Sequence, residues 1–200
     1  MKQESRVILL HGRWPERING KYIADIPLCN PNNAGNWMGW IKGRLEEKGY
    51  DVTCPIVSGA WKARYVEWKE RLDALEINEN TILVGLSAGG YALLRWLSER
   101  GKKVKKLVLI APGSRRVLEE PNHEGLPFED EFYSRDIQPS LRSQIKDGVV
   151  IFISNDSEPI LESVELFKKI LDAKVVKLEE RGHFSFLIPQ FPELLAELQK

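Results

Sequence analysis

Apolar positions along the chain fall into two alternating patterns. Short continuous runs, rich in β-branched residues, occur at 7–10, 52–54, 82–84, 107–110, 149–153 and 175–178. Between them apolar residues recur at helical spacing. Residues 36–48 set Trp37, Trp40, Ile41 and Leu45 on one face and stop at Gly49, and residues 65–75 do the same with Tyr65, Trp68, Leu72 and Leu75. Helices are also expected at 88–100, ended by Gly101, at 159–171, opened by Pro159, and at 192–198, with Leu194, Leu195 and Leu198. Continuous apolar runs suit strands buried on both faces, and helices between them imply parallel crossovers. The pattern therefore predicts a three-layer α/β fold: a six-stranded, mainly parallel sheet with helices on both faces.

Two stretches break this rhythm. Residues 12–35 form a polar loop rich in Asn, Pro and Arg, directly after the first strand. Residues 112–147 carry acidic residues (Glu119, Glu120, Glu124, Glu129, Asp130, Glu131) and the aromatics Phe128, Phe132 and Tyr133, and are expected to form a short lid. Both follow strand C-termini, the edge that lines the ligand crevice in such sheets. The 200 residues fit a single domain spanning 1–200, with no repeat, linker or low-complexity tract.

Charge and cysteine content narrow the partners. The 29 basic and 29 acidic residues balance, so no overall field draws the chain to nucleic acid or an anionic membrane. Lys102, Lys103, Lys105 and Lys106 follow a helix end, where cations suit the dipole, and read as a solvated cluster. Cys29 and Cys54 form no CxxC, and free thiols in a reducing compartment are expected. Without a signal-peptide core or a membrane-length apolar run, the expected location is cytoplasmic.

The chemistry centres on residues 82–91, ILVGLSAGGY. An apolar strand followed by GxSxG and a helical pattern describes a tight turn on which Ser87 stands clear of the sheet, with glycines where side chains would collide. A serine hydroxyl needs a base, and the base needs an orienting group. His183 follows the last strand, and Asp156 follows the preceding one, with Glu158 the nearest substitute acid. The order Ser87, Asp156, His183 is that of an α/β-hydrolase. The Ala88 amide opens the next helix and the Arg13 amide leaves the first strand beside Gly12, which makes them the expected oxyanion donors. His11 is expected to position this loop rather than to act as a second base. Substrate contacts are expected from Gly12, Trp14, Arg115 and Phe132, with arginines 13, 17, 115 and 116 available to a carboxylate and Trp14, Trp37 and Trp61 to an apolar acyl group. The chain lacks P-loop, GxGxxG and HExxH spacings, so neither cofactor nor metal is expected.

These segments (VILLHG, ILVGLSAGG, LVLIAPG, FISNDSEPI and RGHF) span nearly the whole chain. In them the sequence resembles the α/β-hydrolase superfamily, and more narrowly the small serine hydrolases related to the retinoblastoma-binding serine hydrolase and its bacterial relatives. Leu86 stands where many relatives have histidine, and Pro159 is displaced relative to their Val-Pro. The resemblance implies hydrolysis of a small carboxylic ester through an acyl-serine, with Ser87, Asp156 and His183 as triad. A non-catalytic interaction module on the same fold, and an acyltransferase, are the other readings to separate.

Overall fold

The structure is a computed structural model that describes residues 6–14, 16–18, 20–22, 29, 35–119, 125, 128–185 and 188–200. Most of the 12–35 loop, and Glu120 and Glu124 of the expected lid, lie outside these residues.

Six strands form one parallel sheet in the order β4-β1-β5-β6-β7-β8. They are β1 (Arg6–Leu10), β4 (Asp51–Thr53), β5 (Thr81–Leu86), β6 (Lys106–Ile110), β7 (Val149–Ile153) and β8 (Lys174–Lys177). Each matches an apolar run of the sequence. The central β5, β6 and β7 are buried along their entire length, which is why they read as unbroken apolar runs. The edge strand β8 instead reads KVVK, with exposed lysines at both ends that discourage pairing with another chain.

The chain steps outward from β1 to β4, then returns to β5 and continues the other way. Right-handed crossovers place connections of opposite direction on opposite faces. Accordingly α1 (Trp37–Glu46) packs with α6 (Pro192–Leu198), and α2 (Tyr65–Asp73) packs with α3 (Ala88–Arg100). The remaining crossover, α5 (Glu158–Leu171), lies against β7. Asn36 caps α1, its side chain accepting a hydrogen bond from the Met38 amide, and Gly101 closes α3 in the left-handed conformation.

Three findings correct the sequence reading. Lys106 is not solvated. It points into the protein from the start of β6, and its ammonium donates to the Glu197 carbonyl at 3.0 Å and carboxylate at 3.1 Å, fastening α6 to the sheet. Cys29 and Cys54 are not free but joined in a disulfide, with Cα atoms 6.2 Å apart. Strands β1 and β4 are neighbours, so the loops leaving their C-terminal ends are adjacent, a proximity the 25-residue separation conceals. Such bonds persist in oxidising surroundings, which removes the ground for expecting a reducing compartment. Finally, the 12–35 segment contains a small antiparallel hairpin, β2 (Arg17–Ile18) with β3 (Lys21–Tyr22). Gly20, at φ 78°, occupies the two-residue connection of an Asn-Gly sequence, a strong hairpin signal.

The 112–147 segment contains a short helix, α4 (Glu129–Phe132), flanked by 3-10 turns. Arg95 of α3 holds it, donating to the Phe132 carbonyl at 3.0 Å and pairing with Glu131 at 2.8 Å. The Tyr91 hydroxyl donates to the Arg135 carbonyl at 2.6 Å.

Loop-closure entropy for a loop of this size makes the disulfide worth about 3.5 kcal/mol. Replacing Cys29 and Cys54 together by serine should lower the unfolding free energy by that amount in urea titrations. Equal stability of oxidised and reduced wild-type protein would contradict the bond.

Candidate active site

Strand β5 ends at Leu86 and α3 begins at Ala88, leaving Ser87 alone to turn the chain. It does so at φ 52°, ψ −122°, a conformation that costs a non-glycine residue about 1–3 kcal/mol. The Ser87 amide donates to the Ile110 carbonyl of β6 at 2.8 Å, which holds the turn against the sheet. The flanking glycines follow from space. A Cβ at Gly85 would lie 2.6 Å from Gly90 Cα, and one at Gly89 would run into the His11 carbonyl oxygen.

His183 stands on the loop after β8. Its Nε2 is 2.8 Å from Ser87 Oγ and its Nδ1 is 2.7 Å from Asp156 Oδ2. A carboxylate only accepts, so Nδ1 carries the proton and Nε2 is left to accept from the serine hydroxyl. The Asp156 side chain is 7% exposed, and its other oxygen accepts from the Ser157 amide at 2.9 Å. Glu158 is exposed at the start of α5, so Asp156 is the acid that meets His183. The histidine loop is anchored from below. Phe184 is fully buried, stacks on Phe191, and offers its carbonyl to the Trp37 indole at 3.1 Å.

Two residues the sequence reading passed over tie this loop to the Asp156 strand end. Ser154 Oγ accepts from the Arg181 amide at 3.0 Å, and Asn155 Oδ1 accepts from Ser154 Oγ at 2.8 Å and the Gly182 amide at 3.2 Å. Their only sequence signal is two polar residues closing an apolar strand just before the acid.

His11 is buried and neutral. Nδ1–H donates to the Gly12 carbonyl at 2.7 Å, and Nε2 accepts from the Val57 amide at 2.9 Å. Burial lowers its pKa to about 4, the bond to Gly12 opposing only in part. No peptide among the described residues is cis, so the Arg13 N–H points opposite to the Gly12 carbonyl that His11 holds. Gly12 itself lies so close to the elbow that a Cβ there would sit 3.0 Å from Ser87 Cβ.

Arg13, Ser87, Ala88, Asp156 and His183 line one cleft of about 340 Å³, together with Val117, Glu129, Tyr133, Ser157 and Ile160. Ala88 is the first residue of α3, where an amide has no partner within the helix. The expected substrate contacts fare differently. Gly12 abuts Ser87, but Trp14 packs edge-on against His11. Phe132 is fully buried among Tyr65, Trp68, Tyr91 and Tyr133, and it is Tyr133 that reaches the cleft. Arg115 pairs with Asp130 and lines a separate depression. Arg116 pairs with Glu119 and Glu162, and Arg13 pairs with Glu129. Trp37 lies in the core and Lys62 sits over Trp61. No group of three or more metal-ligating side chains occurs among the described residues, and none of their helices is long and apolar enough to cross a membrane.

Comparison with known proteins agrees with this architecture. A family model described as serine hydrolase matches residues 28–188. No curated protein matches the sequence. The ydeN gene product from B. subtilis superposes with a TM-score of 0.73 at 19% identity, covering 98% of this chain and 97% of that one. Est1E from Butyrivibrio proteoclasticus gives 0.61 at 16% identity over 99% and 86% of the two chains. An esterase, RhEst1 from Rhodococcus sp. ECU1013, gives 0.59 at 13% identity over 98% and 89%.

Because His11 is neutral in the fold down to pH about 4 but titrates near its ordinary value of 6.5 when unfolded, the unfolded chain binds more protons between these values. Stability should be complete above that window and fall as pH drops through it, by about 3 kcal/mol at 1.36 kcal/mol per pKa unit. Urea titrations from pH 7 to 4 measure the slope, and His11→Asn, which cannot titrate, should flatten it.

Proposed function

The chain belongs to the serine hydrolase family, and from that premise we propose that it cleaves a small carboxylic ester through an acyl-enzyme on Ser87. The observation that carries this reading is the continuous hydrogen-bonded series from Ser87 Oγ through His183 to Asp156, opening on one cleft. His183 Nε2 takes the serine proton as Oγ attacks the ester carbonyl carbon, and Asp156 steadies the imidazolium that forms. The Ala88 and Arg13 amides hold the developing oxyanion, the first helped by the positive end of α3 and the second aimed by His11. Collapse breaks the bond to the alcohol, which leaves with the proton from His183. Water then attacks the acyl-serine by the same proton route, releasing the acid and restoring Ser87. No cofactor enters these steps. Esterases among the structural relatives are consistent with an ester substrate.

A fluorophosphonate probe should label the wild-type protein and leave Ser87→Ala unlabelled. Labelling of both proteins to the same extent, or of neither, would sink the assignment of Ser87. Asp156→Asn should keep the fold while lowering kcat on a short nitrophenyl ester by about 10⁴. Turnover retained by this variant would point to another acid.

A further inference from the structure

The cleft beside Ser87 sets Glu129 and Tyr133 of the 112–147 segment and Arg13 of the loop after β1 next to the apolar Val117 and Ile160, which places polar groups where an acyl pocket is ordinarily apolar. Glu129 contributes a carboxylate that is only 3% exposed and ion-paired with Arg13, whose side chain remains 39% exposed. Tyr133 is 7% exposed and lines both this cleft and the depression beside Arg115, with no hydrogen bond from its hydroxyl to another described residue. A Cβ placed on Gly113 would lie 3.3 Å from that hydroxyl, 3.2 Å from Val117 and 3.7 Å from Ile160, so the hydroxyl sits beside two side chains of the cleft. Burial raises the Tyr133 pKa, with Arg13 and Glu129 acting on it in opposite directions, so the phenol is a neutral donor as well as an acceptor.

Each class of substrate group meets this wall differently. An anionic group is repelled by Glu129, and the Arg13 guanidinium it would need is already shared. A cationic group is repelled by Arg13. An alkyl chain strips water from the Tyr133 hydroxyl and from the ion pair without replacing its hydrogen bonds, at about 1–3 kcal/mol for each group left unsatisfied. A hydroxyl group fits, because it accepts from Tyr133 or Arg13 and donates in return while adding no charge.

Resting on the serine hydrolase reading above, we propose that the wall formed by Arg13, Glu129 and Tyr133 recognises a hydroxyl group on the substrate, so that the preferred substrates are short hydroxylated esters. Tyr133 is the residue that determines this preference.

Two isosteric pairs test it on the full chain. Nitrophenyl β-hydroxybutyrate against nitrophenyl isovalerate places the hydroxyl on the acyl side. Ethylene glycol monobutyrate against propyl butyrate places it on the alcohol side. The hydroxylated member of one pair should have the higher kcat/KM by roughly tenfold, the net value of one hydrogen bond. Tyr133→Phe should bring that ratio close to one. A wild-type ratio near one in both pairs overturns the proposal, and so does a preference unchanged in Tyr133→Phe. If that variant does not fold, the wild-type ratios still decide. Fluorophosphonate labelling of the same preparations separates the outcomes: labelled Ser87 with no hydroxyl preference defeats only this proposal, whereas absent labelling defeats the hydrolase reading beneath it.

Discussion

The turn at Ser87 is the constraint around which the rest of the structure is arranged. One residue must reverse the chain from a buried strand into a buried helix, and it does so at a positive φ that its own side chain disfavours. The conformation survives because its surroundings leave no other. The Ser87 amide is fixed to Ile110, Gly85 admits the helix, and Gly89 admits the His11 carbonyl. Strain held this way has a use: the hydroxyl projects beyond the sheet edge in one direction instead of sampling rotamers of a flexible loop.

Everything that meets this hydroxyl arrives from another C-terminal strand end, which is what a parallel sheet brings together. Asp156 and His183 come from the ends of β7 and β8, and Ser154 and Asn155 hold the two loops at fixed separation. The loop after β1 is set by His11, whose two ring nitrogens are both engaged and whose burial keeps it uncharged. One imidazole is thus accessible and paired with a carboxylate, the other buried and paired with backbone. The same side chain is suited to proton transfer in the first setting and to holding a peptide plane in the second.

The 112–147 segment supplies the remaining wall and is held to α3 by Arg95 and Tyr91. The sequence implies a short lid, and its residues divide. Phe132 joins the core, Tyr133 faces the cleft, and Glu129 is buried against Arg13 while Asp130 stays at the surface with Arg115. In a four-residue helix, adjacent positions point about 100° apart, so neighbours of similar composition take opposite environments. No periodicity in so short an element distinguishes the face of Phe132 from that of Tyr133.

The sequence by itself determined the elements and their order. Six apolar runs, helical spacing between them, and glycines around Ser87 are local consequences of burial and sterics, and they carried the α/β architecture and the candidates Ser87, Asp156 and His183. Where the Lys106 ammonium goes, that Cys29 meets Cys54, which arginines are already paired, and that Tyr133 lines the cleft were decided only in three dimensions. Each depends on the distance between segments remote in the chain, fixed by strand order and crossover geometry, and residue type at one position carries no record of that distance.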